Sequence, residues 1–320
     1  MWVLTPLEAL AEQHVRQGHD CFNRWGSDTA LWVCGEQAIS SDQSGHVAAR
    51  VQALVIRLPQ SVVVVDPGAT YLQGIALAKD LRRVFPAQQY LILNSRAQAD
   101  HVMASEGLRT GLMAQGLLAS RIQVRSGALT QGLMSQRCPD CLQRLRRELG
   151  PRNMRSTRIL IPHADDFSAP LDETPSGELR VFVGHGLAFS EDLLLRHNGA
   201  QWHWLGVLAA DRLPDLQQGS VVARLDFLKS VVADGQIRWF LGSFGEVSRE
   251  QIVAQIRYFE VLFKAASVAV EDGADSIAAV AALRQLSVWS PILSDSEKRV
   301  HELNLQRLVR QAEEALFEGK

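Results

Sequence analysis

The sequence contains no apolar run approaching the roughly 18 residues needed to cross a bilayer, which excludes a spanning helix. It also lacks charge of one sign. Lys and Arg number 33 against 35 Asp and Glu, and the formal net charge of −2 gives no field that would gather nucleic acid or an anionic membrane. The first residues, Met1-Trp2-Val3-Leu4-Thr5-Pro6-Leu7, have neither a basic opening nor a sustained apolar stretch, so no secretory signal is read there. With Met1 as the native start, a cytoplasmic address is expected. No GxSxG, GxxxxGK[ST], HExxH or dinucleotide-type glycine pattern occurs, and no repeat of 20 to 50 residues is visible. Of the four cysteines, Cys138 and Cys141 form a CxxC, without the thioredoxin-like surroundings that a redox pair usually has.

What is present suits a globular chain. At 47% hydrophobic and 21% charged, 320 residues can bury one large core or two modest ones. The run Val62-Val63-Val64-Val65 predicts a strand, closed by the acidic turn Asp66-Pro67-Gly68. Leu72, Ile75, Ala76, Leu77, Leu81 and Val84 fall at helical spacing, and Tyr90-Leu91-Ile92-Leu93 predicts the next strand. After that strand comes Asn94-Ser95-Arg96-Ala97-Gln98-Ala99-Asp100-His101, where only the second half has metal-binding chemistry. Asp100 and His101 could donate to a metal. Gln98 offers a weak neutral oxygen, and the Arg96 guanidinium is permanently cationic with no lone pair to give.

This order of strand, acidic turn, helix, strand and Asp-His turn resembles the first half of the metallo-β-lactamase fold, whose metal turn reads HxHxDH. In that comparison Arg96 stands at the first histidine position and Gln98 at the second. Downstream, the segment from Val181 to Leu195 resembles the stretch carrying the third histidine; Phe189 falls there, with His185 as the alternative in a register four residues earlier. Gly206-Val207 resembles the glycine-aspartate turn that bridges two metals, Val207 replacing the bridge unless a shifted register recruits Asp211. Leu241-Gly242-Ser243-Phe244-Gly245 resembles the loop of the last histidine, where Ser243 or Phe244 stands. Leu213-Pro214-Asp215 and Gly219-Ser220 are similar to relatives associated with quinoprotein dehydrogenase and sulfur-oxidation systems.

The resemblance, which runs from about Leu31 to the end, implies an α+β chain folded as a four-layer αββα metallo-β-lactamase-like sandwich. Residues 1–30 would be an N-terminal extension and 31–320 a single domain ending in helices. With the metal positions replaced, it implies a non-hydrolytic binding or accessory module, a pseudoenzyme with no cofactor and with vestigial Asp100 and His101. The alternative is a hydrolase with a rearranged zinc or iron site using Asp66, Asp100, His101, His185 and Asp211. The partner would be another protein or a small molecule, neither nucleic acid nor membrane, and a homodimer is compatible with this reading.

Three side expectations complete the sequence reading. Arg96, four residues before Asp100, is expected to ion-pair with it in the space a zinc would hold, and His101 to bond to Asp100 or to backbone. Cys138-Pro139-Asp140-Cys141 is read as opening a helix, leaving reduced small residues, a structural metal or disulfide, and a redox dithiol as alternatives. His163, His185, His197 and His203 are not expected to form a site, since His197 falls at a hairpin and His203 alternates along a strand. The arginines between Arg137 and Arg152 read as a solvated helix face.

Overall fold

Four consecutive valines have too much β-branched bulk for a helix surface and suit a strand covered on both faces. In the computed structural model they lie in β6 (Ser61–Val65), with all four buried. The structure describes residues 53–174, 177–210, 213–243, 245–286, 288 and 294–318, together with the backbone of strands at 22–24, 31–34, 39–40 and 47–49. Contacts divide the chain into two units, Met1–Ser168 and Ala169–Lys320.

The first unit is built on a seven-stranded sheet of order β1-β2-β5-β6-β7-β8-β9. Its strands are β1 (Phe22–Arg24), β2 (Leu31–Cys34), β5 (Ala53–Arg57), β6, β7 (Gln89–Leu93), β8 (Ile122–Ser126) and β9 (His163–Ala164); β3 (Ile39–Ser40) and β4 (Val47–Ala49) form a separate pair. Pairing is antiparallel from β1 to β6 and parallel from β6 to β9. A parallel β6–β7 pair needs a crossover, supplied by helix α1 (Tyr71–Val84), whose N-terminus carries a reciprocal Thr70–Gln73 capping box. Helix α2 (Ala99–Val102) and helix α3 (Ser105–Ala114) follow β7. Helices α1 and α3 touch backbone to backbone: a Cβ on Gly74 would lie 2.2 Å from the Ala104 carbonyl oxygen, and one on Gly107 would lie 2.0 Å from that of Tyr71. Leu77 and Leu81 of α1 and Leu108 and Leu112 of α3 then cover Val62, Val64 and Ile92 of the sheet.

Helix α4 (Ala128–Asn153) packs Met134, Cys138, Leu142, Leu145 and Leu149 against Ala99, Val102 and Met103. This corrects the expectation that the CxxC opens a helix. The helix begins ten residues before Cys138 and runs through Pro139; it is interrupted only at Gly150, where φ is 79°. The thiols therefore gain nothing from a helix terminus. Arg144, Arg146 and Arg147 lie on the exposed side, Arg144 beside Glu148 at 3.7 Å.

The second unit has a six-stranded sheet, β10 (Asp172–Thr174), β11 (Gly177–His185), β12 (Glu191–His197), β13 (Trp202–Gly206), β14 (Trp239–Gly242) and β15 (Gly245–Val247), in that order and antiparallel except for β13–β14. Helix α5 (Val221–Ala233) makes the β13–β14 crossover; α6 (Arg249–Glu271), α7 (Ser276–Arg284) and α8 (Asp295–Glu318) follow the sheet. Leu225 and Leu228 of α5, Ile252, Phe259 and Leu262 of α6 and Leu305 and Leu308 of α8 meet in one apolar core with Leu194, Leu205 and Phe240 of the strands. Among the described residues no helix is long and apolar enough to cross a membrane.

Candidate functional site

The parallel register that sets Val65 beside Leu93 places the residues just past β6 next to those just past β7. Asp66 takes a left-handed φ of 53°, strained for a residue with a side chain, and its amide donates to the Leu93 carbonyl at 3.0 Å. Its carboxylate is buried and collects three donors. Ser95 N–H reaches Oδ1 at 2.9 Å, Ser95 Oγ–H reaches Oδ2 at 2.6 Å, and His101 Nδ1 lies 3.1 Å from Oδ2. A carboxylate only accepts, so the His101 proton sits on Nδ1. Arg96, 0% exposed, donates from Nε to Ser95 Oγ at 2.9 Å and holds Nη2 at 3.9 Å from Asp66 Oδ2.

Burial pushes the Asp66 carboxyl upward, but the His101 bond and charge, the Arg96 charge and the Ser95 hydroxyl together pull it below the ordinary aspartate value. The turn is stitched further by Gly68 N–H to the His101 carbonyl and Ala104 N–H to the Gly68 carbonyl, both at 2.9 Å. Behind it Ser105 Oγ–H donates to Asn94 Oδ1 at 2.8 Å.

The structure thus corrects two expected partners. Among the described residues the carboxylate paired with Arg96 is Asp66, not Asp100, and Asp66 also takes the His101 bond. The cause is the sheet: parallel neighbours deliver Asp66 to Ser95 and Arg96 directly, whereas Asp100 lies in the short helix α2. Asp100 Oδ1 and Gln98 Oε1 are buried without a hydrogen-bond partner among the described residues. Ser95, the residue that joins Asp66 to Arg96, has no signature in the sequence beyond being a small hydroxyl directly after a buried strand.

In the second unit, Asp192 Oδ2 accepts the Ala188 and Phe189 amides, both at 3.0 Å, which shapes the turn bearing Phe189. Phe189 and Val207 are partly buried against the apolar core. Ser243 is buried beside the end of β13, its amide donating to the Gly206 carbonyl at 2.9 Å while its Oγ has no partner among the described residues. His185 is exposed at the end of β11. Asp211 and Phe244 lie outside the described residues. From the rearranged set, then, Asp66 and His101 are joined, Asp100 is next to His101 in the chain without bonding to Asp66, and His185 belongs to the other unit.

The loop after β13 is organised by a second buried arginine that sequence reasoning missed. Arg224 of α5 donates from Nη1 to the Asp215 carbonyl at 2.6 Å and from Nη2 to those of Leu208 and Val207 at 3.1 and 3.5 Å, and it lies 5.0 Å from the Phe259 ring centre. Burial lowers it to about 10, against the opposing pull of Asp215 and Asp192, so it is charged at neutral pH. Gln255 Nε2 donates to the Ala210 carbonyl, and Asn304 Nδ2 donates to that of Pro214 at 2.7 Å while its Oδ1 accepts the Leu216 amide at 2.9 Å.

The remaining histidines and thiols stay apart from these groups. His203 is buried between the Phe182 and Phe227 rings, and burial, with Arg196 adding, lowers it to about 4. His197 accepts the Ala200 amide, and His163 is exposed. Among the described residues no three His, Cys, Asp or Glu side chains converge as a metal-holding group. Cys138 and Cys141 are unbonded to each other; burial, then the neighbouring Cys141, pushes the Cys138 thiol up to about 11, the opposite of an activated thiolate.

No family model matches the sequence, and no curated protein does. Solved structures do match. A metallo-β-lactamase from Pontibacter korlensis aligns with a TM-score of 0.53 at 11% identity over 75% of this chain and 99% of its own. A metallo-β-lactamase from Erythrobacter litoralis, determined with β-mercaptoethanol in its active site, aligns with a TM-score of 0.53 at 13% identity over 76% of this chain and 97% of its own. Two sheets with their helices, in an α+β chain that superposes on nearly the whole of these enzymes, give this protein the metallo-β-lactamase fold.

Proposed function

We propose that this chain keeps the metallo-β-lactamase fold as a non-hydrolytic binding or accessory module whose metal site has lost its ligands. The supporting observation is Arg96. A fully buried guanidinium fixed by Ser95 and Asp66 stands in the turn where the fold would place its first ligand, and a dication brought there would meet a cation with no lone pair. Zinc needs about four donors from imidazole, thiolate, carboxylate or water, and the donor set in this turn is one aspartate, one histidine that donates from Nδ1 to Asp66 and has only Nε2 left to offer, and a neutral amide. These residues do not fit a zinc centre. Phe189 and Val207, packed on the core, are in keeping with positions converted to apolar filling. The narrower likeness to quinoprotein- and sulfur-oxidation-associated proteins belongs to the same proposal and rests on the helical ending of the chain and on the turns at Leu213-Pro214-Asp215 and Gly219-Ser220.

A second reading, a hydrolase with a rearranged site, is favoured by one observation: Asp100 Oδ1 and Gln98 Oε1 are buried acceptors without donors, as a cation or a ligand's N–H groups would require. Elemental analysis of protein expressed without a chelating tag separates the two. The module predicts well under about 0.1 equivalent of zinc, iron or manganese per chain; about one equivalent or more, lost on His101→Ala, overturns it.

A further inference from the structure

Helices α7 and α8 lie antiparallel as a hairpin, since Ser276 Oγ donates to Glu313 Oε1 at 2.7 Å near one end and Arg284 Nη2 meets Glu302 Oε2 at 2.7 Å near the other. Between them runs a groove of about 460 Å³, floored by Val280 and Val309 and edged by Ile277, Gln306 and Arg310. Helix α8 turns Leu305, Leu308, Val309 and Ala312 to the core. On its other side Leu303, Gln306, Arg310, Glu313 and Phe317 follow each other at spacings of three and four, the pattern of a helix face that meets another helix. The ends of that face are apolar and in water: Leu303 is 40% exposed, Phe317 74%, and Ile277, beside the Phe317 end, 83%.

We propose that two copies of the chain pair through this face, α8 against α8 of the second copy, antiparallel about a twofold axis at Arg310. The pattern itself points to a second copy as the occupant. Leu303 and Phe317 stand at equal distances in sequence on either side of Arg310, so an antiparallel copy sets Leu303 on Phe317 twice, as an isologous contact demands. The charge is self-complementary too. Arg310 lies 3.5 Å from Glu314 in its own helix, and about one turn from Glu314 of the second copy, which offsets the meeting of the two Arg310 side chains at the axis. At 1.5 Å per residue the face from Leu303 to Phe317 is about 21 Å long; two helices wide, it offers about 400 Å² per copy. The two copies together bury about 800 Å², below the roughly 1,200 Å² where stable specific interfaces begin, so the dimer is transient and forms in the micromolar range or above.

Sedimentation velocity on the full chain from about 1 to about 300 μM tests this. The weight-average sedimentation coefficient rises with concentration. Ile277→Asp with Phe317→Asp leaves a monomer throughout, with circular dichroism and Tm unchanged because both side chains are exposed. Arg310→Glu weakens association by about tenfold or more, and adding Glu314→Arg restores it. If the aspartate pair disturbs folding, Leu303→Lys at the other end of the face gives the same loss. A chain monomeric at the highest concentration, or variants that associate as tightly as the original, overturns the proposal and assigns the face to no second copy.

Discussion

Arg96 in the first unit and Arg224 in the second are both fully buried guanidiniums, Arg96 just past β7 and Arg224 on α5 against the loop after β13, yet they are held by different means. Arg96 faces a carboxylate, Asp66, and shares it with His101 and Ser95. Arg224 is bonded to three backbone carbonyls and reaches no carboxylate within ion-pairing distance among the described residues. In the first case charge compensates charge, and removing one member strands the other; in the second, dipoles compensate charge, and removing the arginine leaves only neutral oxygens short of a donor. A buried arginine is thus a different structural element depending on whether its partner is ionised.

Arg96→Met tests the stronger half of that contrast and has the largest expected effect, about 3–5 kcal/mol of unfolding free energy by urea titration, because buried Asp66 keeps its Ser95 and His101 bonds but loses the guanidinium that balances its charge. Adding Asp66→Asn recovers much of it; a double variant as unstable as the single one would show that the ion pair is not the source. Acid separates the units next. His203 titrates at about 4 when folded and near 6.5 when unfolded, because burial lowers it, with Arg196 adding and Asp234 opposing. Its contribution is complete above about pH 6.5 and is lost as pH falls toward 4, by about 3 kcal/mol in all, since the unfolded chain binds the proton first. The Asp66 carboxyl, held below its ordinary value, keeps its contribution until the pH drops beneath that range. Hydrogen exchange at successive pH values therefore loses protection around β13 before the Asp66 turn, and His203→Phe removes the first step.

Arg224→Met comes third, at about 1–3 kcal/mol, since relief of a desolvated charge offsets part of the lost carbonyl bonds. A loss equal to that of Arg96→Met would break the comparison. Zinc at about tenfold excess gives the smallest response, a Tm moved by less than about 1 °C in thermal melts, because nothing that binds weakly to the folded state can shift it.

The elements with strong periodicity were legible before any coordinates. The valine strand, the helix from Leu72 and the hairpin at His197-Asn198-Gly199 occupy the places their patterns gave them, because each is decided by local spacing and burial. Helix α4 was misread at its start, since Pro139 resembles a first-turn proline and only the packing of Met134 shows that the helix is already under way. The Arg96 turn was half legible. The residue types announced that a guanidinium stood among metal-type groups, but its partner depends on which strand lies beside which, and that is a property of the sheet. Arg224 left no trace, because a carbonyl acceptor has no residue identity to read.

The loop between β13 and α5 also carries a consequence for the order in which the chain emerges during synthesis. Its carbonyls and amides are gripped by Arg224 and Gln255, but also by Asn304 and Gln311, made some ninety residues later, while Arg307 pairs with the Asp215 carboxylate. Until α8 has left the ribosome, that loop has only the Arg224 and Gln255 bonds to hold it. A nascent or truncated chain ending before Asn304 would therefore carry a formed sheet with a half-fastened rim, more open to proteases at that loop than the finished molecule is.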